Sequence, residues 1–430
     1  MAKTFKHIVE KAAEYSNVSD SFDYEMRGKR KNTRDGRWIT SHRELVIKAI
    51  QSSIIGGTLR PGTFHDLTVK ERGKVREAQC ISLLRSIAIH AVMRVVEDAI
   101  TPAFIADSAA SIKGRGGQYL LRRMLHDLRN DKEGCKWVYK DDIRKFYQSI
   151  PQEVMIDVVY RTFRDKKLRR ILERWITMLP VGMSIGMRPS QGLANLLLSI
   201  YIDHVIKDNG GFKHYKRYCD DRVLMHGNPM LLTHGINVLK DNTKQIGLDI
   251  KSNSQVWKWE DRPVDFLGYI TFYDGNIRIR KHIKQRFARK WKTVKSSKRK
   301  RELIGSFYGI AKHGKCRHLF RKLTGLNMTS FAEAGFVYQR DGKKDFSCPK
   351  VSVASLLNVN INIVDFETGI KTREGEDRYI VLVKHQDGRE QKFFTASDKM
   401  KKALDFMRDK GLIPFQTVTK PDNGCGYIFT

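Results

Sequence analysis

Two acidic segments hold the residues whose types and spacing could do chemistry. Tyr139-Lys140-Asp141-Asp142-Ile143-Arg144-Lys145-Phe146-Tyr147 carries one pair of carboxylates, and Arg217-Tyr218-Cys219-Asp220-Asp221-Arg222-Val223 carries another. Hard cations such as Mg²⁺ favour carboxylate oxygens. Two divalent ions held a few ångströms apart serve nucleotidyl transfer, one activating a primer hydroxyl and the other neutralising the leaving pyrophosphate. The minimal protein device is a set of carboxylates from two segments that meet at the edge of a sheet. A lone Asp-Asp in a turn is usually only a turn. Two such segments, with a glycine-containing turn and a helix between them, are harder to dismiss.

The flanking residues say how such groups must be positioned. β-Favouring residues on both sides of Asp220-Asp221 predict strand–turn–strand over Tyr215 to Met225, with the pair in the turn. Lys136 to Lys140 reads as a short strand. Thr68 to Glu77 has the pattern of a charged hairpin. Helical spacing of apolar residues runs from Ile81 to Ile100, over residues 153 to 179, from Ala194 to Ile206 and from Met230 to Ile246. Two strands are expected between Asp249 and Thr271. The N-terminal residues read as helices with a polar break at Arg27 to Thr33. From Arg278 to Arg301 there is no acidic residue, and Phe287 and Trp291 stand four apart. A helix there could bury both rings on one side and present its cations on the other. There is no internal repeat.

The composition points to a partner. Lys and Arg outnumber Asp and Glu by 80 to 47, for a net charge of +33 and a pI of about 9.9. Such a surplus is most easily tolerated when a polyanion neutralises it, so nucleic acid is the first candidate and an anionic membrane the rival. No long apolar span and no signal-peptide pattern is visible, so no membrane partner is expected. The six cysteines form no Cys-x-x-Cys pair. Free structural thiols in a reducing cytoplasm are expected, rather than a disulfide framework or a zinc site.

The order of motifs resembles the palm of reverse transcriptases. It runs D-I-x-x-F-Y (Asp142 to Tyr147), G-x-x-x-S-Q-G-x-x-N (Gly186 to Asn195), Y-x-D-D (Tyr218 to Asp221) and F-L-G (Phe266 to Gly268). The resemblance covers roughly residues 65 to 325. It implies an α+β right-hand polymerase, with fingers at 63–134, a palm with an antiparallel sheet at 135–275 (finger helices inserted at about 153–180) and a helical, basic thumb at 276–330. Residues 1–62 would be a helical extension. By the same match Asp142 and Asp220 would be the principal ligands of two Mg²⁺ ions, for which Mn²⁺ can substitute, and Asp221 a supporting carboxylate. Asp141 falls one place earlier, so it should point to the opposite face of its strand and be structural. Tyr147 matches the bulky residue that packs under the incoming sugar and excludes a 2′-hydroxyl, although a core tyrosine is the plain alternative. Gln191 would lie near the nascent base pair. Lys74 and Arg76 would grip the triphosphate of a dNTP, where charge-assisted hydrogen bonds suit them. Lys113, Arg115 and Asn195 would contact template or primer, as would the primer grip Phe266, Leu267 and Gly268. The sequence departs from the pattern in one place: where relatives often carry a lysine that protonates pyrophosphate stands Ser254, and the role of the neighbouring Lys251 is open.

Nothing resembles an RNase H, integrase or His/Cys nuclease domain. The Ser-Gln of Gly186 to Gln191 resembles diversity-generating reverse transcriptases. Y-C-D-D, the N-terminal helical region and the added C-terminal domain are more similar to class 2 defence-associated reverse transcriptases. That group copies a dedicated structured non-coding RNA into DNA during anti-phage immunity. A catalytically idle RNA-binding or splicing cofactor, and an RNA-dependent RNA polymerase, are the competing readings. The oligomeric state and any accessory protein stay open. In residues 345–430, strands at Val359 to Val364, Tyr379 to Lys384, Gln391 to Thr395, Phe415 to Thr419 and Tyr427 to Thr430 surround a helix over Asp398 to Lys410. This small β-rich domain has the order of a five-stranded oligonucleotide-binding (OB) barrel and equally suits an α+β interaction domain. Tyr379, Phe393, Phe394 and Phe415 are candidates for stacking on bases, or for its core.

Overall fold

The structure is a computed structural model that describes residues 4–71, 74–314, 316–325, 338–340, 343–346, 348–372, 375–422 and 426–430. It is mixed α/β and divides into two compact units, Met1–Thr324 and Gly325–Thr430. Among the described residues no helix is long and apolar enough to cross a membrane.

The first unit is built round a five-stranded sheet. Its strands lie in the order Ser108–Ala109, His214–Tyr218, Asp221–His226, Trp137–Asp142 and Gln255–Lys258. All pairings are antiparallel except that of Ser108–Ala109 with Arg217–Tyr218, a short parallel strand that the sequence pattern does not reveal. Register fixes the geometry that matters. Asp221 stands opposite Asp142 on one side and Tyr218 on the other. Residues directly opposite share a face, so these three do. Asp141, Arg222 and Arg217 are likewise in register with one another and face the other way.

Helices Leu83–Ile100, Gln152–Thr162, Lys166–Ile176, Arg188–Leu198 and Pro229–Gln245 share one continuous core with this sheet, which runs from Ile8 to Leu248. The N-terminal helices Tyr15–Glu25 and Arg43–Ile55 place Val18, Phe22, Ile47, Ile50 and Ile54 in the same core. Burying each of these larger side chains is worth about 1.5–3 kcal/mol. The N-terminal helices thus contribute side chains to the first unit's core. The helix expected from Ala194 begins earlier, at Arg188, because Pro189 in its first turn has a φ already suited to the helix and needs no amide partner. Gln191 and Gly192 consequently lie on the helix, and only Gly186, with φ +91°, sits in the turn before it. Beyond Leu198 the segment continues as π-helical turns over Ser199–Asp203 and Val205–Asn209.

The charged hairpin is Phe64–Glu71 with Lys74–Ile81. Its second strand is tied to the turn before the Arg188 helix: Gln79 N donates to Ile185 O at 3.2 Å and Ile185 N to Gln79 Oε1 at 2.9 Å. Three strands, not two, lie between Asp249 and Thr271, because a tight turn at Leu267-Gly268 divides Val264–Phe266 from Tyr269–Thr271, and a fourth, Ile277–Ile279, pairs with the last. Both turn residues have positive φ, +58° and +89°, the pattern of a type I′ hairpin. Helices Lys281–Thr293, Ser297–Ala311 and Arg317–Thr324 come next. Phe287 is buried against Phe307, with ring centroids 4.0 Å apart, and Trp291 stacks beside it at 5.9 Å. Arg286, Arg289, Lys290 and Lys292 remain exposed, as helical spacing requires.

In the second unit the strands Asn360–Thr372, Gly375–His385, Glu390–Thr395, Phe415–Pro421 and Tyr427–Phe429 form one antiparallel sheet in the order third, second, first, fourth, fifth. Helix Asp398–Asp409 lies between the third and fourth strands, capped by Ser397 and followed by Gly411 at φ +67°. No pairing closes the third strand on the fifth among the described residues, although Phe393 and Phe429 approach to 6.4 Å. Phe393 is fully buried, and Tyr379 and Phe415 pack against the same core. Phe393 is therefore a core residue, whereas Tyr379 and Phe415 are partly buried at the margin of that core; strand alternation alone cannot say which face a second layer covers.

Candidate active site

The strands Trp137–Asp142 and Asp221–His226 end together, and two fully buried ion pairs support that end from behind. Arg222 holds Asp141 with two 2.7 Å bonds, and Tyr139 Oη donates to the same carboxylate at 2.9 Å. Asp141 is thus structural and faces away from Asp142. Arg217 holds Asp203 at 2.7 and 2.6 Å, and also donates to Asn195 Oδ1 at 2.9 Å and to Cys219 O at 3.1 Å.

These bonds fix the turn between the strands. Cys219 has φ +57°, a conformation that a non-glycine residue adopts only when its surroundings enforce it. Its amide donates to Ala109 O at 3.1 Å, while Asp220 O accepts from Ile143 N at 3.3 Å. The carboxylate-bearing turn is thereby tied to the segment after Asp142. The chain at 249–251 runs alongside the same segment, with Arg144 N on Asp249 O at 2.7 Å and Lys251 N on Asp142 O at 2.9 Å. The Lys251 ammonium then comes within 2.5 Å of Asp142 Oδ1. Lys140, two residues before Asp142 and so on its face, stands 3.2 Å from Asp221 Oδ1 and donates to Asp265 O at 2.7 Å.

The carboxylates carry the electrostatic mark of a crowded anionic site. Burial pushes the Asp221 carboxyl up to about 6, against the pull of Lys140. Burial and the charge of Asp142 raise Asp220 as well. Asp142 Oδ1 and Asp221 Oδ1 are buried yet accept no well-directed hydrogen bond despite the nearby ammonium groups. Buried carboxylate oxygens that are neutralised by ammonium groups but not hydrogen-bonded are a donor set that fits a hard divalent cation, provided the ammonium groups give way. Among the described residues, however, no three His, Cys, Asp or Glu side chains are drawn together as a ready metal cage.

In front of the turn lies a cavity of about 740 Å³, lined by Val75, Arg76 and Glu77 of the charged hairpin together with Tyr147, Ile185, Cys219, Asp220 and Lys251. Arg76 and Tyr147 thus share one space with Asp220. Tyr147 is half-buried, and its hydroxyl is 3.5 Å from Cys219 Sγ. Burial holds that hydroxyl well above its ordinary value, so it stays protonated. The Lys74 side chain lies outside the described residues.

The other expected contacts divide. Gln191 accepts from Ser111 Oγ at 3.0 Å, and Lys113 is exposed on the same loop. Leu267 lines a second cavity with Gly116 and Gly117. Gly268 completes the turn beside it. Two residues, Asn195 and Phe266, are buried, and Arg115 is partly buried and bonded within its own loop. Asn195 is buried, with its amide held between Ala110 O (3.0 Å) and Arg217. Arg115 donates to Ile105 O at 2.8 Å and so shapes its own loop. Phe266 is fully buried, with the Lys140 ammonium 5.6 Å from its ring. Sequence reasoning missed Lys140 and underrated Lys251. The first was legible as a cation two places before Asp142; the second depends on how the chain turns after Gly247.

Residues 347–430 match a family model described as a domain of unknown function, DUF8468. No curated protein matches. Among solved structures, the chain is similar to apo telomerase from Candida tropicalis at 11% identity and a TM-score of 0.43, over 57% of this chain and 52% of that one. A form of that protein truncated from its C-terminal domain gives 12% identity and a TM-score of 0.41, over 50% and 55% of the two chains. Telomerase from Candida albicans in complex with a fragment of telomeric RNA gives 9% identity and a TM-score of 0.41, over 63% and 56%. The chain spans about half the length of the telomerase chains it matches.

Proposed function

We propose that the protein is an RNA-directed DNA polymerase. One observation carries the reading: Asp142 and Asp221 face each other in register, Asp220 occupies the adjoining turn, and this edge opens on a cavity shared with Tyr147 and Arg76. Asp142 and Asp220 would hold two Mg²⁺ ions, with Asp221 in support; bound there, the ions supply Lewis acidity to the primer hydroxyl and the departing pyrophosphate. Arg76 draws the triphosphate into the cavity. Tyr147, neutral and braced against Cys219, restricts the space below the sugar. Lys251, beside Asp142 and lining the same cavity, would serve as the proton donor for pyrophosphate.

Changing Asp220 and Asp221 together to Ala is expected to reduce dNTP incorporation on an RNA template by on the order of a thousandfold or more, with RNA binding retained. Undiminished extension by the double variant rules this site out. An idle RNA-binding scaffold is the second reading, favoured by the two ammonium groups that sit against Asp142 and Asp221. It predicts no incorporation by the wild-type protein with either Mg²⁺ or Mn²⁺.

Within this reading the protein belongs with the class 2 defence-associated enzymes. Its template is a structured non-coding RNA encoded beside its gene, its product is DNA, and it works in the cytoplasm. The sequence Y-C-D-D and the compact unit appended after residue 324 support that placement. Sequencing the RNA that co-purifies with the protein, and the DNA made in cells, tests it. A repeat template resembling part of a protein gene would instead indicate a diversity-generating element.

A further inference from the structure

The N-terminal helices hold an aromatic that the fold does not use. Trp38 lies on helix Arg34–Ser41 and is 53% exposed, whereas Gly36 and Ile39 of the same helix are buried and anchor it. Thr33 caps the helix, its Oγ1 accepting from Gly36 N at 3.0 Å. The Trp38 indole stacks on the His42 imidazole, with centroids 4.5 Å apart and planes 21° from parallel. His42 is itself exposed, and its Nδ1 is held 2.9 Å from Trp38 O. The pair is therefore rigid, yet it contributes little to the core. Arg34, one turn before Trp38, is on the same side of the helix.

The surroundings are strongly cationic. Between Arg27 and Arg43 the chain carries seven Lys or Arg residues and one acid, Asp35. Arg30 pairs with Glu25 and Arg43 with Asp23, but Lys31, Arg34 and Arg37 have no carboxylate in ion-pair reach among the described residues. A second ring on this layer, Tyr24, is 51% exposed, stacked over His90 at 4.4 Å and covered by the Arg27 guanidinium at 5.0 Å.

A rigid exposed aromatic pair among unpaired cations has the two parts of a single-strand platform: a flat face for a base and charges for the flanking phosphates. We propose that Trp38 and His42, with Lys31, Arg34 and Arg37, form a binding surface for unpaired RNA outside the polymerase cavity. The choice of RNA over DNA rests on the polymerase reading; the surface itself does not. Charge argues against an apolar protein partner, since the segment from Arg27 to Arg43 that carries the indole holds seven cations and one acid.

The test measures binding of the full-length protein to a fluorescent 30-nucleotide single-stranded RNA by anisotropy, in EDTA and without nucleotides. Trp38→Ala is expected to weaken binding about tenfold. It should leave the slope of affinity against salt unchanged, and Trp38→Phe should recover part of the loss. Arg34→Ala with Arg37→Ala should lower the salt slope as well as the affinity. In wild-type protein, 4-thiouridine RNA should crosslink to the peptide containing Trp38, a readout independent of whether the variants fold. Affinity of Trp38→Ala within twofold of wild type, an equal loss on duplex RNA, a loss confined to single-stranded DNA, or crosslinks that avoid this peptide would each overturn the proposal. Because no nucleotide is present, failure here is distinct from failure of the polymerase reading, which the Asp220 and Asp221 variants decide.

Discussion

At the scale of single residues, the chemistry of the site turns on what surrounds each side chain. Tyr147 is a gate only if its ring, and not merely its presence, limits the cavity. Tyr147→Ala should raise ribonucleotide use relative to deoxyribonucleotide use by about tenfold or more in single-nucleotide incorporation. Unchanged discrimination would make Tyr147 a plain core residue. Asp221 allows a test without substrate. Its carboxyl is raised from 3.8 to about 6, so the folded chain holds this proton more tightly than the unfolded one. The stability that this contributes is fully present below about pH 4 and is lost as pH rises through about 6. Asp221→Asn stays neutral throughout. In metal-free buffer the variant should melt higher than wild type above about pH 7, and the difference should vanish toward about pH 4. A constant difference across that range would exclude the titration.

At the scale of elements, the carboxylate edge depends on buried charge behind the sheet. Arg217 and Asp203 are both inaccessible to solvent, and Arg217 also braces Asn195 and the Cys219 carbonyl. Removing one partner leaves a buried charge unpaired, which costs about 3–5 kcal/mol. Asp203→Ala should lower the urea midpoint accordingly with little change in slope. A loss below about 1 kcal/mol would mean that the turn holds its own shape. The Leu267-Gly268 turn works differently, through backbone conformation alone. Its left-handed φ values bring Leu267 toward the loop at Gly116-Gly117 and leave Phe266 to the core.

At the scale of the whole molecule, the chain is two units with separate cores. The second is centred on Val381, Val383, Phe393, Met400 and Leu404. Phe393→Ala should remove about 3–5 kcal/mol from that unit's stability, read as a lowered second melting transition, without changing nucleotide incorporation by the first. An unchanged second transition would return Phe393 to the surface role that its aromatic character permits. The positive charge is a property of the entire chain, and the exposed cations of Lys281–Thr293 carry part of it.

Motif order and the alternation of side chains along a strand were sufficient to nominate Asp142, Asp220 and Asp221 and to set Asp141 apart. The first rests on a resemblance in motif order; only the second follows from local periodicity and needs no partner. The helices of the N-terminal region, the charged hairpin and the helix after Ser397 were legible for the same reason. What required the fold was everything that depends on a second segment. His214–Tyr218 was legible as a strand, but the burial of its Lys216 and Arg217 was not; they are buried because Asp107, Asp127 and Asp203 meet them from elsewhere. Asn195 and Phe266 bear the right side chains for contact, but tertiary packing turns them inward, and Arg115 is engaged by its own loop. Lys251 reaches Asp142 only because the chain at 249–251 runs beside it. Local sequence sets which face a residue takes, and long-range packing decides what that face meets.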